Sequence, residues 1–261
     1  DTSATASELT SIDAATTVAV TASAVTTLSG TATEVIAAYA ADAAGTLVLD
    51  NDEVVSVSGT VSVADANTIS GKTSGAVTAT IATGSYTTLN GLNETNNAYA
   101  LTLNETISVA NANTLDAKTT GVITATITSG NYAAVNALNG TGNAYAVTVN
   151  DSITVAEADA LAAKTTGVVT ATLSTGDMAT LAGLNETGNA YTITITDNSA
   201  TAAALTALDA KTTVAVQAGN VTSISGTATE VIAAYAADAA TTIVLDGDET
   251  VSVSGLSLIH I

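Results

Sequence analysis

The sequence predicts a repeat protein, a parallel β/α solenoid with about two strand-plus-helix coils in each 46-residue unit, an architecture like that of leucine-rich repeats. Three observations predict it. Tyr99, Tyr145 and Tyr191 each sit in Asn-Ala-Tyr, 46 residues apart; Lys72, Lys118 and Lys164 keep that interval, and Lys211 follows after 47. Each interval holds two β-branched stretches that alternate with period two, as strands with one buried face do. The segments between those stretches open on residues that cap helices.

The units are 61–106, 107–152 and 153–198. A longer repeat encloses them: residues 29–44 recur unchanged at 225–240, and the likeness extends over 29–59 and 225–255. Residues 1–255 therefore read as one continuous solenoid fragment. Within each unit the first strand is Ala76–Ile81, Val122–Ile127 or Val168–Leu173, and the second is Tyr99–Leu103, Tyr145–Val149 or Tyr191–Ile195. Ser85, Asn131 and Asp177 occupy one equivalent position, and all are preferred N-caps. Behind them an i, i+3, i+6 stripe (Tyr86, Leu89, Leu92 and equivalents) predicts a short α- or 3₁₀-helix. The other helix opens on Ser62, Ser108 or Thr154, and Thr154 with Glu157 fits a capping box. The stripe of that third copy is Val155, Ala158 and Leu161. Thr31 with Glu34, and Thr227 with Glu230, place the same box before longer helices. A coil this small has too few apolar side chains to offset the entropy of ordering it, so it needs a neighbour on each side. The LxxLxLxxN signature of leucine-rich repeats is missing. The alternative is an all-β parallel helix in which the short helices are turns.

Composition excludes several functions. The chain has 24 acidic residues, 4 Lys and no Arg, for a net charge of -20. Nucleic-acid binders neutralise phosphates with cations, and an anionic membrane surface would repel this chain. No apolar run approaches the roughly 18 residues of a spanning helix. With 47% hydrophobic residues the chain should fold, around small Ala, Val, Ile and Leu side chains. Cys is absent, so there are no disulfides and no thiolate metal sites. Residues 256–261, Leu-Ser-Leu-Ile-His-Ile, match no repeat and resemble the translation of a transposon sequencing adapter. They read as a scar on a truncated reading frame, with a genuine next strand as the alternative, and they contain the sole His, His260.

The chemistry-bearing residues are few. No credible His serves a catalytic triad, and neither nucleotide-binding glycine motif is present. The acids recur with the repeat, which points away from an enzyme; a carbohydrate-active acid pair is the remaining catalytic alternative. Asp50, Asp52 and Glu53, and again Asp246, Asp248 and Glu249, place three acids within four residues, so they are candidate Ca²⁺ ligands, with a solvated acidic turn as the competing reading. If Val77, Ala79 and Ile81 face inward, Thr78 and Thr80 face outward, and so do Thr124, Thr126, Thr170 and Thr172. That makes a candidate binding face, set against the ordinary preference of Thr for a wet strand face. Ala100 and Ala146 interrupt it. The strand-opening tyrosines read as core rather than as a ligand platform. Each Lys is followed by Thr and ends a predicted helix, where a cation opposes the helix's own C-terminal partial charge.

The stretches Ile107–Thr128 and Gly183–Asp197 resemble the Thr/Ala-rich repeats of giant secreted or cell-surface proteins of aquatic bacteria, especially marine cyanobacteria. The resemblance covers nearly all of 1–255. It implies an extracellular or cell-surface location, a structural or adhesive role in adhesion, a surface layer or motility, and export beside RTX repeats, whose nonapeptide this chain lacks. The expected function is therefore a non-catalytic repeat array whose partners are surface glycans or further copies of itself. The alternative is a Thr-face module that recognises ice, glycan or another repetitive surface.

Overall fold

The computed structural model describes residues 1–255. Residues 256–261, including His260, lie outside the described residues. The fold is mixed α/β, with helices alternating with the strands of parallel sheets. Helices of eight residues or more, among them Ala32–Ala44, Val63–Ser70, Val109–Asp116 and Val155–Ala162, rule out the all-β alternative.

The chain falls into two compact units, 1–126 with 142–144, and 127–141 with 145 onward. In the first, Ser3–Thr5 pairs with Thr27–Thr31, which pairs with Val54–Val61, then Val77–Ile81, then Ala98–Ile107, each step parallel. In the second, Val169–Leu173 lies between Ala144–Ile153 and Ala190–Thr192. A separate parallel sheet there runs Ser199–Thr201, Ser223–Thr227, Thr250–Ser254.

Local chemistry explains the helix starts. Ser85, Asn131 and Asp177 accept bonds from the backbone N–H groups of Thr88, Ala134 and Thr180, and begin one-turn helices at Tyr86–Leu89, Tyr132–Val135 and Met178–Leu181. Ser62 and Ser108 cap the eight-residue helices in the same way. All three expected capping boxes form, and Thr5 with Glu8 adds one that the sequence reading missed. The Thr31 amide and hydroxyl both bond Glu34 and hold its carboxyl below the usual range; Thr227 does the same, through its amide and then its hydroxyl, for Glu230.

The core is made of small aliphatic residues and tyrosine. The inward strand residues Val77, Ala79 and Ile81 are buried, as are Ile123, Ala125, Ile127 and Val169, Ala171, Leu173. Opposite them the helices contribute Leu89, Leu115, Val135 and Leu161, and Leu92 follows just past its helix. Tyr99, Tyr145 and Tyr191 are no more than 1% exposed, which makes them core residues. Burial first, then the charges of Asp159 and Glu186, pushes the Tyr191 phenol up to about 12.

Candidate functional site

Three groups of residues bear on function: the outward threonines, the acidic turns, and the residues repeated every 46 positions.

Thr78, Thr80, Thr124, Thr126, Thr170 and Thr172 are all solvent-exposed, as strand alternation requires. Their neighbours break the rows. Thr78 lies opposite Ala98 and Thr80 opposite Ala100. In the second unit Thr170 lies between Thr148 and Ala190, and Thr172 between Ser152 and Thr192. The face offers hydroxyls at strand spacing with methyl interruptions on alternate strands.

The acidic turns do not gather their carboxylates. Asp50 and Asp52 are exposed, whereas Glu53 is fully buried. Glu53 accepts the Tyr39 hydroxyl at 3.0 Å and the Asn51 amide at 3.1 Å. Glu249 accepts the Tyr235 hydroxyl at 3.1 Å and the Gly247 amide at 3.1 Å, while Asp246 and Asp248 stay exposed. The third acid of each turn thus anchors a tyrosine. Among the described residues no group of three or more His, Cys, Asp or Glu is placed to hold a metal ion.

The repeated residues bind backbone groups 20–28 residues earlier in the chain. The Lys118 ammonium donates to the Leu92 carbonyl at 2.7 Å, Lys164 to those of Asn136 and Leu138 at 2.8 Å each, and Lys211 to that of Asn185 at 2.9 Å. This corrects the expectation that each Lys serves its own helix. The end of that helix is already closed by backbone bonds, Ala117 to Asn113 and Lys118 to Leu115. The long side chain instead reaches the free carbonyls just past the one-turn helix before it. Lys72 has no such helix before it, since Ala32–Ala44 takes that place, and it is exposed. There it lines an apolar cavity of about 300 Å³ with Ile36, Tyr39, Ala43 and Ile69.

Lys118→Gln should therefore lower stability by about 1 kcal/mol, a charge-assisted bond discounted for its half-exposed site. Lys72→Gln should cost less than half of that. Thermal denaturation of the two variants checks the difference.

The Thr after each Lys was not recognised as functional from sequence. The Thr119 hydroxyl accepts the Tyr99 amide at 2.8 Å and the Gly121 amide at 2.9 Å, and donates to the Tyr99 and Asn97 carbonyls at 2.8 and 3.1 Å. Thr165 repeats this on Tyr145 and Gly167, and Thr212 on Tyr191. Asn97, Asn143 and Asn189 are nearly buried, and their side-chain carbonyls accept the Val77, Ile123 and Val169 amides at 2.7–2.8 Å. Gly121 and Gly167 sit against the backbone of Tyr99 and Tyr145, where an added Cβ would overlap their carbonyls. A signal was present: these residues stay identical from copy to copy while their neighbours change.

No helix of the described residues is long and apolar enough to cross a membrane. Chemically, the repeated set is a device for holding backbone to backbone, and no nucleophile and base are brought together by it. No protein-family model matches this chain, and no curated protein or solved structure matches it.

Proposed function

We propose that the chain is a β/α solenoid acting as a non-catalytic structural or adhesive array of a large bacterial surface or secreted protein. One observation carries this reading. The residues that recur every 46 positions (Lys118, Thr119, Gly121, Asn143, Tyr145 and their equivalents) fasten one coil to the next, which is the work of a scaffold. The outward strand threonines and the exposed acids of the turns are small and polar or charged, suited to a hydrated spacer outside the cell.

The test is excision in register. Removing residues 107–152 should leave a cooperatively folding chain, shorter by about 10 Å in solution scattering, two strand spacings of ~4.8 Å. Removing only 107–129 should unfold it, because the two coils of a unit carry different helices. A folded product from the half-unit excision, or an unfolded one from the whole-unit excision, would sink the array reading.

The exposure of all six threonines favours a second reading, a module for ice, glycan or another repetitive surface. Thermal hysteresis that disappears in Thr124→Tyr would establish it in place of the passive spacer. A flat response returns the face to ordinary solvated strand.

A further inference from the structure

Lys72 is the odd member of its set. Lys118, Lys164 and Lys211 each donate to backbone carbonyls 26–28 residues earlier. Among the described residues the Lys72 ammonium has neither a carbonyl nor a carboxylate as partner. The acids on the elements around it are engaged elsewhere. Asp42 accepts the Leu49 amide at 2.9 Å and the Asn51 side-chain amide at 3.2 Å, and Asp65 accepts the Ser62 hydroxyl at 2.8 Å.

The cavity that Lys72 lines is unused as well. The helices Ala32–Ala44 and Val63–Ser70 leave about 300 Å³ between them, walled by Ile36, Tyr39, Ala43 and Ile69. The hydroxyls on its lining are already committed. That of Tyr39 donates to Glu53 at 3.0 Å, and that of Thr68 to the Ala64 carbonyl at 2.8 Å. The Lys72 ammonium is therefore the one polar side-chain group of the lining left unengaged among the described residues.

The second unit holds the opposite case. There the helices Met178–Leu181 and Ala202–Asp209 leave only about 110 Å³, lined by Leu181, Leu208 and Lys211. Lys211 donates to the Asn185 carbonyl at 2.9 Å. Where the lysine has its carbonyl, the recess is too small for a ligand. Where it has none, the recess reaches the low end of the usual ligand-pocket range of ~300–1,000 Å³.

An apolar recess with one unengaged cation selects a ligand with an apolar body and a single anionic head. The ammonium supplies the partner that a desolvated anion needs. The body must be alkyl rather than peptide, because buried amides would find no free donor or acceptor on these walls. The net charge of -20 repels anions at a distance. Physiological salt screens that repulsion beyond about 8 Å, whereas the ammonium acts in contact.

We propose that the recess between Ala32–Ala44 and Val63–Ser70 binds a medium-chain alkyl carboxylate, its chain against Ile36, Tyr39 and Ile69 and its head on the Lys72 ammonium. None of the ties between coils uses this recess, so the site goes beyond the array reading.

The probe is octanoate, titrated into the full chain at neutral pH and physiological salt, with the Ile36 and Ile69 methyl resonances as readout. Both methyls should shift with one dissociation constant. Lys72→Gln should weaken binding about tenfold, since it removes the charge and leaves the walls. Lys118→Gln should leave it unchanged, because that ammonium is committed to Leu92. Hexanoate should bind about tenfold more weakly, at roughly two- to fourfold per methylene lost. Ala43→Leu should fill the recess and abolish binding. Octanoate affinity that survives Lys72→Gln or Ala43→Leu overturns the proposal, and so does octylammonium binding as tightly as octanoate. N-acetyl-leucine binding as tightly as octanoate overturns it too, by assigning the recess to peptide ends. Unmoved methyls at millimolar octanoate overturn it outright.

Discussion

Gly121→Ala is expected to lower the unfolding free energy by about 3 kcal/mol, the upper end of the usual cost of overpacking. It adds a single carbon. That carbon lands on the Tyr99 carbonyl group, and the Tyr99 nitrogen is only 3.0 Å away. All of these are backbone atoms held by neighbouring bonds, since the Tyr99 amide and carbonyl are both tied to Thr119. Nothing flexible can move aside, so the two coils must separate locally. Gly84→Ala is the control. Its nearest neighbour would be Thr88 at 3.5 Å, an ordinary contact. The change there should be neutral or stabilising by about 0.5 kcal/mol, through the less flexible unfolded chain. Urea midpoints of the two variants should differ clearly. Equal midpoints would mean that the close approach at Gly121 yields without cost.

Thr119→Val should be nearly as damaging, at about 3 kcal/mol, although Val has almost the same shape. The substitution leaves the buried amide of Tyr99 and the half-buried amide of Gly121 without an acceptor. Each orphaned group costs about 1–3 kcal/mol, and the site, 6% exposed, gives water little access. Thr119→Ser keeps the hydroxyl and should recover most of the loss. Hydrogen exchange at the Tyr99 amide separates the causes: it should accelerate in Thr119→Val and stay protected in Thr119→Ser. An amide that remains protected in Thr119→Val would show that another group had replaced the hydroxyl.

The strands and helix starts were legible because their signals are local. Alternation of Val77, Ala79 and Ile81 with Thr78 and Thr80 states which face is buried within five residues. A cap such as Ser85 or Asn131 acts on an amide three residues away. The outward threonines followed from the same rule. The ties between coils were not legible, because each joins residues about one coil apart and leaves no period inside the coil. Lys118 was read as a stop for its own helix, when its partner is Leu92. Glu53 looked like the third member of an acidic turn, when its partner is Tyr39, fourteen residues before it. Gly121 stands just before a strand in the sequence, and its role is to let another backbone pass. Residue type alone carried no sign of these partners. Identity at equivalent positions of the repeat did, and the fourth copy sharpens the point. There the interval grows to 47, Val214 replaces the glycine, and that valine stands 36% exposed.

The side-chain bonds of Asn97, Asn143 and Asn189 reach back 20 residues, those of Thr119 to Tyr99 also 20, and those of the lysines 26–28. The sequence separation of these contacts does not grow with the length of the polypeptide. Low separation means a small loop-closure cost and fast folding, whatever the number of units. On a ribosome adding about 5–20 residues per second, a new coil gains its ties roughly 1–5 s after the one before it. Such a chain can fold from its N-terminus as it is made, one coil at a time, without waiting for distant segments to appear.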